Sequence, residues 1–281
     1  MKIAAMLFKQ SAKTLLVWLI FGLVAAVLES DPGAATFKAT DLLRAIVIVI
    51  LSLFTYQRLL WLFEPSPFLA TSLRFNAGEI KRGSMFGAAL VLPFVLLQVT
   101  GWFGPSLVRP ESFNPFDTIL RALTISLVAG VTEELMVRGI LLHAMEKVLG
   151  TWWACILQAI IFGLLHYARP DVQMMDVAEL TTAGMLFGAA YVLTRNLWFT
   201  ISLHMVYDWI LLSYPGAIEA MLQAPVTYTP TEYIVLAVSC VFNLGLGAYL
   251  LKRAAARGHL LLPQWKSPSL TVSTVVANDT V

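Results

Sequence analysis

The stretch VTEELMVRG, residues 131–139, places two adjacent carboxylates and a guanidinium inside a long apolar run. Glu134 and Arg138 are four residues apart with the acid first, which is the favourable order for an ion pair on one face of a helix. Glu133 is rotated by about 100° from Glu134 and is left without that partner. A carboxylate partly withdrawn from water is a candidate general base for hydrolysis.

Two other apolar runs carry histidines. His166 ends the run FGLLH, and His204 with Asp208 lie four residues apart in HMVYD, so that both point into the same space from one helix. An Asp, Arg or Lys at the centre of a bilayer costs about 2.5–3.5 kcal/mol, so such residues must be paired, hydrated or used. Peptide hydrolysis needs a base, a trapped water and donors aimed at the developing charge, and these residue types can supply all three.

The composition is that of an integral membrane protein. Hydrophobic residues make up 58% of the 281 and charged residues 13%, whereas soluble domains carry about 25% charged residues. The net charge of +2 and the scattered Lys and Arg residues exclude a nucleic-acid-binding face. Cys155 and Cys240 each lie in an apolar run, so the sequence indicates neither a disulfide framework nor a cysteine-based metal site.

Apolar segments of about 20 residues are needed to cross roughly 30 Å of hydrocarbon. The sequence predicts an all-α membrane bundle of about eight transmembrane helices, at 13–28, 42–60, 84–103, 117–137, 151–168, 178–194, 197–214 and 232–251. Three regions follow: N-terminal helices with a cytoplasmic loop at 1–115, a catalytic core at 116–214, and the last helix with a polar tail at 215–281.

Lys and Arg are concentrated in alternate loops, and short basic loops stay in the cytoplasm. Both termini are therefore predicted to be cytoplasmic, in a multi-pass protein of the bacterial cell (inner) membrane. The basic set is Lys2, Lys9, Lys13, Arg74, Lys81, Arg82, Lys147, Arg195, Lys252, Arg253 and Arg257, whereas the other loops hold only Lys38, Arg109 and Arg169.

Helix depth gives a further expectation. Glu133 lies 17 residues before Gly150, where a tight turn is predicted, and His166 lies 16 after it, so a regular hairpin puts both at nearly the same depth. His204 is only eight residues past Asn196, so it lies about 12 Å from the start of its helix. Glu133 and His166 lie about 24 Å from the Gly150 turn. The mismatch disappears if the hairpin tip, with Arg138, His143, Glu146 and Lys147, projects into the cytosol. A cavity that opens to the cytoplasmic side is then expected.

Taken together and in order, EELMVRG, FGLLH and HMVYD resemble the three signatures of the CPBP family, the CAAX-protease and bacteriocin-processing intramembrane endopeptidases, also called Abi. The resemblance covers roughly residues 115 to 212. It implies a metal-independent glutamate endopeptidase in which Glu133 activates a water that His166 also holds. It further implies that Glu134 and Arg138 are a supporting pair and that His204 with Asp208 stabilises the oxyanion.

One position departs from the family pattern, because many relatives have Asn where Asp208 stands. An ionised carboxylate cannot donate a hydrogen bond to an oxyanion. Two roles therefore stay open: a protonated Asp208 that donates, or a carboxylate that orients His204 so that the imidazole donates.

Two other functions use the same residues. A zinc-dependent membrane protease would take them as ligands, although the sequence has no H-E-x-x-H and the ligands would come from separate helices. A non-catalytic scaffold or proton-linked transporter would use intramembrane acids as a relay. The expected partners are the lipid bilayer and a membrane-associated peptide or protein substrate, with no cofactor and no nucleic acid. Nothing in the sequence selects the substrate.

Overall fold

The computed structural model describes residues 37–63, 72–100, 114–167, 172–214, 218 and 228–263. The transmembrane helix predicted at 13–28 and the polar tail beyond residue 263 lie outside these residues. Over the described part of the chain the fold is all-helical and without strands, as predicted, and forms seven continuous helical runs.

The third run contains three elements and the other six contain one each. The elements are α1 Ala39–Phe63, α2 Ala77–Val99, α3 Pro115–Glu134, a π-helical segment Leu135–Leu142, α4 His143–Leu149, α5 Thr151–His166, α6 Met174–Thr194, α7 Leu197–Leu212 and α8 Pro230–Ala256. Four helices, α1, α2, α6 and α8, are long and apolar enough to cross a membrane, and α5 and α7 are shorter apolar helices. The count of eight transmembrane helices therefore stays a prediction.

The hairpin formed by α3, the π segment, α4 and α5 begins at a helix cap and reverses at a glycine. Asn114 caps α3 by accepting hydrogen bonds from the backbone of Phe116 and Asp117, and Pro115 occupies the first helical position. The helix continues through the π segment and α4 and reverses at Gly150, whose φ of 76° favours glycine. The predicted turn is confirmed. The π segment is a feature that the sequence pattern did not predict.

The helices pack as two groups that meet at the site. α6 packs between α5 and α8, whereas α7 packs between α2 and α3, and α1 packs on α3. The contact of α2 with α7 depends on glycine, because a Cβ on Gly83 would lie 2.1 Å from the Phe199 oxygen and one on Gly87 would lie 2.4 Å from the Leu203 oxygen. Small residues four apart let two helix backbones approach closely.

The segment His259–Pro263, here called the C-terminal strap, covers the α4–α5 turn. Leu261 N donates to Thr151 Oγ1 at 2.8 Å and Thr151 N donates to the Leu261 oxygen at 3.1 Å. A Cβ on Gly150 would lie only 2.7 Å from the Pro263 nitrogen. The turn and the strap therefore fit against each other without room for a side chain.

The residues at the hairpin tip pack against other parts of the protein. Arg138, His143 and Glu146 are at most 6% exposed. Glu146 Oε2 accepts from Arg195 Nη1 at 2.7 Å, which joins the tip to the α6–α7 turn. These contacts are compatible with a tip that lies beyond the membrane surface, so the projecting tip and the cytoplasmic opening stay predictions.

Candidate active site

Glu134, the last residue of α3, lies at the centre of the site and is fully buried. Its Oε1 accepts a hydrogen bond from Arg138 Nη1 at 2.7 Å and lies 2.9 Å from His204 Nδ1. The ion pair expected from the i, i+4 spacing is present. A single carboxylate oxygen therefore links the guanidinium of the hairpin to the imidazole of α7.

Arg138 is enclosed on every side that the structure describes. Its Nη2 donates to the Gly184 oxygen at 3.1 Å, and its guanidinium lies 4.9 Å and 5.5 Å from the ring centres of Phe162 and Phe187. The two ring contacts are cation–π interactions, and together with the hydrogen bond they compensate part of the cost of burying a cation. Arg138 is 0% exposed, so the guanidinium is enclosed with its Glu134 partner.

The two ring nitrogens of His204 have different surroundings. Nδ1 faces the buried Glu134, whereas Nε2 lies 3.2 Å from Asp208 Oδ2 and 3.9 Å from Glu133 Oε2. The His204 side chain is 6% exposed, but those of Glu133 and Asp208 are each 27% exposed. Phe187 lies edge-on to the ring at 5.1 Å. The imidazole is thus held through Nδ1 by Glu134, and its Nε2 faces the two partly exposed carboxylates.

His166 is the last residue of α5 and is buried. Its Nδ1 lies 2.8 Å from the Phe162 oxygen, and because a carbonyl oxygen only accepts, Nδ1 carries the proton. In the neutral ring Nε2 is then an acceptor. The Phe162 ring lies 4.7 Å from His166 and 6.4 Å from His204. Among the described residues no hydrogen bond or ion pair joins His166 to Glu133, so a water shared by the two stays a prediction.

These residues lie in the part of the chain that the comparisons identify. Residues 115–210 match the family model described as Type II CAAX prenyl endopeptidase Rce1-like. The match confirms the resemblance drawn from the three signatures. No curated protein and no solved structure matches the chain.

The Rce1-like segment covers about a third of the chain and runs from the first residue of α3 to Ile210, near the end of α7. It contains every predicted site residue: Glu133, Glu134, Arg138, His166, His204 and Asp208. α1, α2 and α8 lie outside it. Those helices pack on α3, α7 and α6 respectively, so the matched segment supplies the site and the unmatched helices support it.

The Rce1-like segment also contains a contact that the sequence interpretation missed. Glu134 was assigned to Arg138 alone, and His204 was expected to work with Asp208. In the structure Glu134 holds His204 Nδ1, and Asp208 contacts the other nitrogen. The available signal was the pair of adjacent glutamates, because a rotation of about 100° per residue lets one side chain be buried while its neighbour is partly exposed.

Proposed function

We propose that the protein is an intramembrane endopeptidase of the glutamic type that hydrolyses a peptide bond in a membrane-associated peptide or protein. The proposal rests on His204, whose Nδ1 is 2.9 Å from the buried Glu134 while Nε2 faces Glu133 and Asp208. This arrangement lies within the Rce1-like segment. We further propose that the protein works without a cofactor, in the bacterial cell (inner) membrane.

The first step uses Glu133 as the general base. Its partly exposed carboxylate takes a proton from water, and the water oxygen forms a bond to the carbonyl carbon of the substrate. His166 Nε2, an acceptor when Nδ1 donates to the Phe162 oxygen, accepts a hydrogen bond from the same water. The 27% exposure of Glu133 supports this role, because the base must reach both water and substrate.

The second step needs a donor at the developing oxyanion. His204 Nε2–H serves, since Glu134 fixes the ring through Nδ1 and Arg138 balances the Glu134 charge. Asp208 Oδ2, at 3.2 Å from the same nitrogen, is a carboxylate that stabilises the doubly protonated ring and releases the Nε2–H to the oxyanion as that charge develops. As the carbon–nitrogen bond breaks, the proton held by Glu133 passes to the leaving amine nitrogen, which completes the balance of hydrolysis.

The test is cleavage of internally quenched peptides by the purified protein in detergent, with and without a prenyl group on a C-terminal cysteine. Glu133→Gln is nearly isosteric but cannot accept a proton at neutral pH, so kcat/KM is expected to fall by about 10²-fold or more with unchanged thermal unfolding. Glu79→Gln on α2, whose native carboxylate pairs with Arg82 away from the site, is the matched control and keeps activity. Substantial turnover by Glu133→Gln would remove Glu133 from the mechanism.

Two outcomes would favour the other candidate functions. Loss of turnover with a chelator and recovery with zinc would favour a metalloprotease, although no group of three or more His, Cys, Asp or Glu in the described residues could hold a metal ion. Ion-coupled uptake in a protein that cleaves no peptide would favour a transporter. Cleavage that resists chelators and requires Glu133 supports the glutamic endopeptidase.

A further inference from the structure

Two glycines of α6 lie against α5 at the level of Arg138. Gly184 and Gly188 are four residues apart in AGMLFGAA, so they share one face of the helix. A Cβ on Gly184 would lie 3.1 Å from the Phe162 ring, and one on Gly188 would lie 2.5 Å from Gln158 Nε2. The glycines therefore make room for two side chains of the neighbouring helix.

The Gly184 carbonyl oxygen receives two side-chain donors from different elements. Arg138 Nη2 donates to it at 3.1 Å and Gln158 Nε2 donates at 2.9 Å. Gln158 Nε2 also donates to the Cys155 oxygen at 3.0 Å, so one amide nitrogen bridges the backbones of α5 and α6. The amide group has two hydrogens, and both are used. Gln158 thus ties the two helices together at the point where Arg138 is anchored.

The separation of α5 and α6 sets the space that the guanidinium occupies. Phe162 on α5 and Phe187 on α6 contribute the two rings that contact Arg138, at 4.9 Å and 5.5 Å. Arg138 Nη1 in turn donates to Glu134, whose Oε1 lies 2.9 Å from His204 Nδ1. A change in the separation of the two helices is therefore transmitted through the guanidinium to the imidazole. The amide that fixes this separation acts on the imidazole through these groups.

An amide is not the side chain that packing alone would favour at position 158. Gln158 is 0% exposed, and its Oε1 has no hydrogen-bond partner among the described residues. A buried acceptor without a partner is destabilising, whereas an apolar side chain of similar volume would avoid this cost. Packing therefore does not account for an amide here, whereas the placement of Arg138 does.

We propose that Gln158 is a positioning residue of the hydrolysis, which acts through Arg138 on the placement of His204. Its effect on turnover rests on the proposed function, whereas its coupling to Arg138 does not. Gln158 lies four residues before FGLLH and is therefore outside the three signatures that identify the site.

The test removes the amide in one variant and displaces it in another. Gln158→Met keeps most of the length and volume of the side chain but has no donor. Gly188→Ala keeps the amide but puts a Cβ 2.5 Å from Gln158 Nε2, at the movable end of the side chain, so the amide shifts while the helix backbone stays. Two variants are the matched controls: Thr124→Val on α3, which loses a buried hydroxyl bonded within its own helix, and Gly245→Ala on α8, with nothing within 4 Å.

We expect Gln158→Met and Gly188→Ala each to lower kcat by about tenfold or more in the cleavage of internally quenched peptides, because a misplaced imidazole stabilises the oxyanion less well. KM should stay within about twofold, since the amide is fully buried and does not contact the substrate. The melting temperature should stay within about 2–4 °C of the wild type. Both controls should keep kcat.

A wild-type kcat in either Gln158→Met or Gly188→Ala overturns the proposal. So does a fall in kcat that is accompanied in both variants by a loss of stability as large as that of Arg138→Ala, because the amide would then serve packing alone. Cleavage that requires Glu133 but not Gln158 would overturn the positioning role and leave the endopeptidase function intact.

A double-mutant cycle tests the coupling without turnover. Gln158→Met, Arg138→Met and the double variant are compared by thermal unfolding in detergent. Both side chains donate to the Gly184 oxygen, so the change in melting temperature of the double variant should differ from the sum of the single changes by on the order of 2–4 °C or more. Additivity overturns the proposal. A wild type that cleaves no peptide would contradict the endopeptidase function, and the cycle would still test the coupling.

Discussion

Replacement of Arg138 by alanine tests whether this residue supports the site or touches the substrate. The guanidinium is fully buried, bonded to Glu134 at 2.7 Å and to the Gly184 oxygen at 3.1 Å. Arg138→Ala removes both hydrogen bonds and leaves the Glu134 carboxylate buried with His204 and Thr200 as its neighbours. We expect loss of stability and of activity together.

The size of the stability loss follows from the burial of the Glu134–Arg138 pair. Removal of one partner of a buried ion pair costs about 3–5 kcal/mol, because the other charge is left uncompensated. At about 1.4 kcal/mol per factor of ten, the unfolding equilibrium constant rises by about 10²–10⁴. For a chain of this size the melting temperature falls by on the order of 10 °C. Activity falls as well, since Glu134 then holds His204 less firmly.

The assay is thermal unfolding of the purified protein in detergent, measured beside peptide cleavage. Arg44→Ala is the matched control, because Arg44 pairs with Asp41 at 3.9 Å and its side chain is 52% exposed. An exposed pair contributes about 0–1 kcal/mol, so this control should melt within about 2–4 °C of the wild type. The difference in melting temperature between Arg138→Ala and Arg44→Ala isolates the effect of burying an ion pair.

A stable but inactive Arg138→Ala would refute the reasoning, because it would show that the guanidinium acts on the substrate and not on Glu134. A double-mutant cycle sharpens the result. Glu134→Gln with Arg138→Met removes both charges and keeps most of the volume, so it should be less destabilised than the sum of the two single variants. Simple additivity in that cycle would show that the two side chains do not depend on each other.

Three further variants follow from the packing and the site. Gly87→Ala should lower both stability and activity, because its Cβ would lie 2.4 Å from the Leu203 backbone oxygen and displace α7, which carries His204. Gly245→Ala is the control: a Cβ there has nothing within 4 Å, so the melting temperature should not fall below that of the wild type. Asp208→Asn should give a lower kcat/KM at every pH, since an amide stabilises a protonated imidazole less well than a carboxylate does. Arg195→Ala should lower the melting temperature, because it removes the partner of Glu146, and should expose the strap to protease, because it removes the donor to the His259 oxygen.

Each of these three predictions has an outcome that would contradict it. Equal melting temperatures for Gly87→Ala and Gly245→Ala would show that the α2–α7 contact can adjust without cost. Identical pH profiles of kcat/KM for wild type and Asp208→Asn would leave Asp208 as a tolerated polar neighbour, whereas higher activity of the variant at high pH would favour a protonated, donating Asp208. A strap that stays protected from protease in Arg195→Ala would assign its attachment to Thr151 instead.

The features that the sequence predicted correctly depend on short-range geometry. The Glu134–Arg138 pair needs only the repeat of one helix, and it is present at 2.7 Å. The turn at Gly150 needs only a residue that tolerates positive φ, and its φ is 76°. Apolar segment lengths likewise predicted an all-helical fold, because backbone groups in hydrocarbon must be satisfied within a helix.

The features that the sequence did not predict depend on contacts between distant residues. Glu134 and His204 are 70 residues apart, and the strap reaches Thr151 from 110 residues away. The π segment, Leu135–Leu142, lies inside a continuous apolar helix, and no feature of the sequence predicted it. Gly139 lies in that segment, and a Cβ there would approach the Tyr56 ring to within 2.6–2.8 Å, so its surroundings are set by α1 and not by local propensity.

The two adjacent glutamates explain how one imidazole can be both held and left accessible. Consecutive residues on a helix differ by about 100°, so Glu134 can be fully buried while Glu133 is partly exposed. Both lie beside His204, at 2.9 Å from Nδ1 and 3.9 Å from Nε2. The inner carboxylate is 0% exposed and neutralised by Arg138, so it can fix the ring but cannot meet water. The outer one is 27% exposed, so it can meet water, and it lies 3.9 Å from His204 Nε2. We therefore expect exchange of Glu134 to lower both stability and activity, and exchange of Glu133 to lower activity with unchanged thermal unfolding.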